Sequence, residues 1–275
     1  MKRHTVSSLC RGSRRSKLEA IGTVVLLAVL ICGCSPSESV IVTAHRGASH
    51  VAPENTLSAM SAAVEAGAEF AELDVRLTRD GQVVLMHDRT VDRTTNGTGE
   101  LWDFSLNELR ALEAGSWFGE EFDGEPIPTL REVIRFAKGQ LKLNIEIKIS
   151  REEPTIAAAV VEIIRVEECG EHCMVTSFSR EVVEAVKRIA PEVLTGFIFG
   201  SDYPDDVFTG SWDVLSCNHE VVDSMFLVRA KQSGKSVHVW TVDERVLMLR
   251  LIKLGVDGII SNRPALLRKV VAEGM

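Results

Sequence analysis

From residue 40 onward the chain alternates short runs of β-branched and aliphatic residues with longer stretches whose apolar positions recur at helical spacing. The short runs are VIVTAH, FAELDV, LNIEIK, CMVTSF, LTGFIF, WDVLSC, SVHVWT and VDGIIS, eight candidate strands. Between them, NTLSAMSAAVEAG, TIAAAVVEIIRVEE, REVVEAVKRIA, EVVDSMFLVRAKQSG and DERVLMLRLIKLG predict helices, several of them stopping at glycine. Eight strand and helix units in one chain predict an α/β fold, a closed (β/α)₈ TIM barrel, with an open doubly wound sheet as the rival.

One further strand-like run, QVVLMH, follows TRDG. That link is far too short for a parallel crossover, so the run is predicted to return antiparallel in a hairpin. A two-residue turn between Thr78 and Gly81 sets His87 opposite Glu72, and a slip of one residue sets it opposite Leu73 on the other face. Regularity then breaks between Asp88 and Pro128, a stretch rich in glycine, acids and isolated aromatics. It is read as a small inserted subdomain, about 88–128, overhanging the barrel mouth. Its Phe104, Trp117 and Phe118 either form a lid that grips a substrate or make a miniature core.

The first 39 residues read differently. Lys2, Arg3, Arg11, Arg14, Arg15 and Lys17 precede an apolar run from Ile21 to Cys32 that is too short to span a bilayer comfortably and suits a secretory signal. The next residues, LICGCSPSES, resemble the lipobox of bacterial lipoproteins. This implies a signal over 1–33, a lipidated Cys34, a polar tether over 34–39 and a single barrel over 40–275, exported and anchored to a cell envelope membrane. SRRSKL also resembles a twin-arginine signal but lacks the apolar residues that should follow. Without the signal, 242 residues carry 25 basic and 38 acidic side chains, a net charge of −13, which argues against nucleic acid as a partner. Of six cysteines, Cys169, Cys173 and Cys217 then remain beside Cys34. CGEHC can hold a local Cys169–Cys173 disulfide or two free thiols, while His172 alone is too little for a metal site.

Candidate chemistry sits at strand ends. Glu72 and Asp74 in FAELDV, and Glu146 and Lys148 in LNIEIK, are i, i+2 pairs that share one face of their strands. Three converging carboxylates repel one another unless a cation balances them, and an all-oxygen set suits Mg²⁺ or Ca²⁺. His45 and His87 supply imidazoles for proton transfer, Arg46 and Lys148 positive charge for a phosphate. This combination fits phosphodiester cleavage better than glycoside hydrolysis, which needs two carboxyls and no metal.

The ordered segments AHRG (44–47), PENT (53–56), ELD (72–74), MHD (86–88), RTTNGTG (93–99), IPTL (127–130), IEIK (145–148), TSFS (176–179), VWTVD (239–243) and GVDGIISNRP (255–264) closely resemble the glycerophosphodiester phosphodiesterases. The resemblance implies a (β/α)₈ barrel with an insertion. The activity it implies is hydrolysis of a glycerophosphodiester to glycerol 3-phosphate and an alcohol with one divalent cation, Ca²⁺ or Mg²⁺. It makes His45 and His87 the catalytic pair, Glu72, Asp74 and Glu146 the metal ligands, and Arg46 and Lys148 phosphate contacts. Glu54 of PENT is a further site residue, orienting Arg46 or approaching the metal, and the motif places Trp240 at the substrate. Two departures, Asp243 where asparagine is usual and Ser261–Asn262 where TD is commoner, are read as peripheral and as bearing on substrate preference. The alternatives are a phospholipase D or C acting on lysophospholipids and a non-catalytic lipoprotein that binds envelope or host partners.

Overall fold

The structure, a computed structural model, describes residues 40–150, 153–204 and 206–274. The expected signal (1–33), the tether (34–39) and Cys34 lie outside the described residues. Along the chain run β1 (Ile41–Ala44), α1 (Leu57–Glu65), β2 (Phe70–Leu77), β3 (Val83–Leu85), α2 (Leu106–Leu109), α3 (Leu130–Ala137), β4 (Lys142–Ile147), α4 (Ile156–Val166), β5 (Cys173–Ser177) and α5 (Arg180–Ile189). They are followed by β6 (Leu194–Phe199), β7 (Val214–Asn218), α6 (Ser224–Gln232), β8 (Ser236–Trp240), α7 (Arg245–Leu254), β9 (Gly258–Ser261) and α8 (Pro264–Gly274). The parallel strands pair in sequence from β4 to β9, β2 pairs with β4, and β1 pairs with both β9 and β2. The ring is therefore closed, with eight parallel strands, and the open-sheet rival is excluded.

The strands are almost wholly buried and built from Val, Ile and Leu, because helices cover their outer face while side chains fill the interior. Local chemistry sets the helix ends. Thr129 and Ser105 each cap a helix with a glutamate three residues on, and Gly255 closes α7 in a left-handed conformation. The stretch EVVDSMFLVRAKQSG is helical only from Ser224, because the Asp223 side chain accepts from the Phe226 N–H and His219–Val221 is a separate 3₁₀ turn. Among the described residues the link from β6 to β7 carries no helix. Val207, Phe208 and Trp212 bury that side instead, with Trp212 Nε1 donating to the Val207 carbonyl at 2.9 Å. Cys169 and Cys173 are joined in a disulfide at the foot of β5, and Cys217 is a buried free thiol. No helix among the described residues is long and apolar enough to cross a membrane.

The hairpin departs from expectation by one residue. Observed pairs are Val75 with Leu85, Arg76 with Val84 and Leu77 with Val83. The turn holds three residues, not two: Thr78 N–H donates to the Gln82 carbonyl, Gly81 N–H donates back to the Thr78 carbonyl, and Gly81 takes φ +76°. Thr78 Oγ further ties the turn, donating to Asp80 Oδ1 and accepting from the Gln82 N–H. His87 therefore does not pair with Glu72. It reaches the same cavity because the chain leaves the ladder after Leu85 and Met86.

Within 88–128, Val91, Leu101, Leu109, Ala114 and Ile127 form a small apolar cluster with Val84 and Met86 of the preceding segment, joined by Phe104, Leu106 and Leu112. Trp117 and Phe118 stack edge to face at 5.6 Å, and Phe118 does the same with Phe122. Neither these rings nor Phe104 line the cavity at the barrel mouth.

One glycine is demanded by the loop that carries the site. Gly47 follows β1 at φ +78°, and a Cβ there would lie 2.6 Å from the Ala59 backbone in α1. Gly81 has a similar φ but nothing within 4 Å. Left-handed strain costs about 1–2 kcal/mol and overpacking about 1–3 kcal/mol more. Gly47→Ala should therefore lower stability by about 2–5 kcal/mol in denaturant titration, and Gly81→Ala by only about 1–2 kcal/mol. Equal losses would show that the contact with α1 is not what selects glycine.

Candidate functional site

The mouth of the barrel holds a cavity of about 150 Å³ lined by His45, Arg46, Glu72, His87, Glu146 and Lys148, with Phe178 and Trp240 on one wall. Its acidic floor follows from strand register. Glu72 and Asp74 lie two residues apart on β2, and Asp74 stands beside Glu146 of β4 in the parallel ladder. Their carboxylate oxygens come within 4.8 Å of one another, and all three side chains are buried. Burial first, and then the charges of Asp74 and Glu146, push Glu72 well above the usual carboxylate range. Burial and Asp74 likewise push Glu146 up to about 7. For Asp74, burial acts upward, but Lys148 and Arg46 outweigh it and hold the group below its ordinary value. Among the described residues Glu72 Oε1 and Asp74 Oδ1 have no hydrogen-bond donor. Buried acceptors without donors, in an all-oxygen set of this size, fit a hard divalent cation.

Two cations from this chain already face the floor. Arg46 takes φ +56°, which turns its backbone N–H toward Glu72 Oε2 at 2.8 Å and its Nε to within 3.4 Å of Asp74 Oδ2. Lys148 Nζ lies 2.7 Å from Glu146 Oε1, 3.5 Å from Asp74 Oδ1 and 5.6 Å from the centre of the Phe178 ring. Glu54 meets Arg46 and not the carboxylate cluster: it accepts from Arg46 Nη1 at 2.8 Å and from both terminal nitrogens of Arg93 at 2.8 and 2.9 Å. Of the two roles expected for Glu54, orientation of Arg46 is the one its contacts match.

The imidazoles enter from two sides. His45 follows β1, with Nε2 3.9 Å from Glu72 Oε2 and Nδ1 2.6 Å from Asn262 Oδ1. His87 follows β3, with Nδ1 2.7 Å from Asp88 Oδ1. Burial lowers the pKa of both; Arg46 adds to the effect at each, while Asp74 opposes it. Both rings are thus biased toward the neutral, proton-accepting form near neutral pH. A hydrogen bond from Arg93 holds Asp88 down at about 2, so a carboxylate faces His87.

Sequence reasoning named His45, Arg46, Glu54, Glu72, Asp74, His87, Glu146, Lys148 and Trp240 as site residues, and in the structure all of them line this cavity except Asp74, which lies beneath it, and Glu54, which lies behind Arg46. It gave no role to several residues that hold these in place. Asn55, at φ +59°, both donates to Asp74 Oδ2 and accepts from the Asp74 N–H. Arg76 donates through Nε and Nη2 to the His87 carbonyl and through Nη1 to Ser150. Arg93, from the insertion, bridges Glu54 and Asp88. Asn55, Asp88 and Arg93 all stand inside the matched segments PENT, MHD and RTTNGTG, which was the available signal. One expectation is overturned outright. Asn262 touches His45, and Asp243 accepts from Asn262 Nδ2 at 2.6 Å, so the two departures are not peripheral.

Residues 45–266 match the model of the glycerophosphoryl diester phosphodiesterase family. A glycerophosphodiester phosphodiesterase of Caldanaerobacter subterraneus is 38% identical over 240 residues, covering 85% of this chain and 98% of the relative. A phosphodiesterase of Oleispira antarctica, solved in complex with the product sn-glycerol-3-phosphate, is 31% identical with a TM-score of 0.77, covering 84% of this chain and 96% of the other. The glycerophosphodiester phosphodiesterase of Agrobacterium tumefaciens is 28% identical with a TM-score of 0.74, covering 84% and 99%. Barrel, acidic floor and comparisons agree, and the chain belongs to the glycerophosphoryl diester phosphodiesterase family.

Proposed function

We propose that this protein hydrolyses small glycerophosphodiesters to glycerol 3-phosphate and an alcohol, using a divalent cation and a pair of histidines. The observation that carries the reading is the meeting of three buried carboxylates, two imidazoles and two cationic side chains on one cavity. Glu72, Asp74 and Glu146 would hold the cation, Ca²⁺ or Mg²⁺, which when bound supplies positive charge to the phosphate. Arg46 and Lys148 contact the phosphate oxygens and, being held by Glu54 and Glu146, need little reorganisation as charge develops. One imidazole takes the proton of the nucleophile while the other gives a proton to the leaving alkoxide; attack by water gives glycerol 3-phosphate directly, whereas attack by the glycerol 2-hydroxyl gives a cyclic phosphate that water then opens. Phe178 and Trp240, 5.8 Å apart and edge to face, supply an apolar wall for the glycerol or alcohol carbons. For the chain beyond the barrel, the proposal remains export and lipid attachment at Cys34, which intact-mass measurement of the membrane-extracted protein checks.

Purified protein should cleave glycerophosphocholine, glycerophosphoethanolamine or glycerophosphoglycerol, and chelator should abolish turnover until Mg²⁺ or Ca²⁺ is returned. Cleavage of lysophospholipids alone would favour the phospholipase reading, and no turnover of either class the binding-protein reading. His45→Ala and His87→Ala should each lower kcat by about 10²–10⁴-fold with unchanged circular dichroism. Near-normal activity in both would refute the catalytic assignment.

The raised carboxyl groups give a further test. Glu146, at about 7 when folded against an ordinary 4.5, binds more protons folded than unfolded across that interval. Its contribution opposes folding increasingly as pH rises through the interval, and Glu72 acts in the same direction. In chelator, melting temperature should fall as pH rises from about 6.5, above which the lowered histidines His45, His87 and His238 no longer titrate, to about 8, and added cation should restore more of it at the upper end. A cation effect that does not grow with pH would argue against this site.

A further inference from the structure

Asp243 and Asn262 lie just beyond β8 and β9, behind the ring of His45. Asp243 accepts three hydrogen bonds. Its Oδ1 receives the Ser261 hydroxyl at 2.9 Å and the Asn262 backbone N–H at 2.8 Å, and its Oδ2 receives Asn262 Nδ2 at 2.6 Å. A carboxylate only accepts, so the Asn262 group turned toward it is the NH₂. The amide oxygen is thereby turned toward His45 Nδ1 at 2.6 Å, and it also accepts from the Ser49 hydroxyl at 2.9 Å. An oxygen acceptor requires the proton on Nδ1. The nitrogen left with a lone pair is Nε2, the one on the cavity side, 3.9 Å from Glu72 Oε2.

We propose that Asp243 is a positioning residue: acting through Asn262, it fixes His45 in the Nδ1–H tautomer that presents Nε2 to the reacting phosphodiester. The inference rests on the reading of His45 as a proton-transfer group.

Asp243→Asn tests the direction of this chain. The Asn262 backbone N–H and Ser261 hydroxyl still require an oxygen at the first position, so the new NH₂ faces the Asn262 side chain and drives that amide to flip. Its NH₂ then points at His45 Nδ1, which must accept, and the ring shifts to the Nε2–H tautomer. In full-length, Mg²⁺-loaded protein with the ring neutral, proton–nitrogen correlation spectra should show Nδ1–H for His45 in the parent and Nε2–H in Asp243→Asn. Turnover of glycerophosphocholine should fall by about 10²–10⁴-fold in kcat, with KM changed by less than about threefold. The exchange Asp243→Asn with Asn262→Asp should return both the Nδ1–H spectrum and kcat to within about tenfold of the parent, because the carboxylate introduced at 262 again accepts from Nδ1. An Asp243→Asn protein that keeps Nδ1–H, or an exchange protein that is folded yet as slow as the single variant, overturns the proposal. Should Asp243→Asn fail to fold, the exchange protein still decides, since an Nε2–H ring there overturns the tautomer lock. Should the parent turn over no glycerophosphodiester, the functional reading fails while the ring spectra still report on the lock.

Discussion

Three buried carboxylates crowded into the mouth of the barrel are the constraint around which the rest of this protein is arranged. Ions removed from water without compensation cost several kcal/mol each. Here the compensation reaches into the backbone. The Arg46 N–H bonds the Glu72 side chain, the Gly47 N–H bonds the Glu72 carbonyl, and Asn55 clasps Asp74 from both sides. The β1–α1 loop is thus stapled to β2 by the very groups that make the site. Its left-handed residues, Arg46, Gly47 and Asn55, are the conformations that allow those donors to converge. Site and fold share one set of contacts, so altering a loop glycine or an asparagine disturbs both.

Much of the barrel was legible because its strands are continuous aliphatic runs separated by capped helices, and both signals are local. The charges were legible for the opposite reason: Glu72, Asp74 and Glu146 interrupt runs that are otherwise apolar, and a period of two puts each i, i+2 pair on one face. The hairpin register was not legible. TRDG is compatible with loops of two or three residues, and the choice rests on Gly81 taking a left-handed conformation and on Thr78 Oγ bonding Asp80 and Gln82. No helix was predicted in the β6–β7 link, and there a buried tryptophan and its neighbours do the covering that a helix does elsewhere.

Contacts between distant segments were also out of reach. His45 and Asn262 are 217 residues apart, and Glu54 and Arg93 are 39 apart. No periodicity reports such pairs, and only barrel closure brings the end of β9 beside the end of β1. The departures at 243 and 262 looked peripheral for that reason. As positions in a list they are two unrelated changes, whereas in the folded chain they are the two ends of one hydrogen bond.

The insertion acquires a role from the same kind of contact. His87 follows the short strand β3, whose Val84, with Met86 just beyond it, packs into the insertion's apolar cluster. The carbonyl of His87 is held by Arg76 from the barrel, while its ring is held by Asp88, itself bound to Arg93 of the insertion. Arg93 continues to Glu54, and Glu54 to Arg46. A chain of charge-assisted hydrogen bonds therefore runs from one imidazole, through the insertion, to the arginine beside the other. The two histidines are held by unlike partners, an ionised carboxylate for His87 and a neutral amide for His45. A carboxylate partner favours the charged ring more than an amide does. The insertion thus fixes the geometry of one half of the site and makes its electrostatics unlike the other half, and it does so without lining the cavity through its aromatic rings.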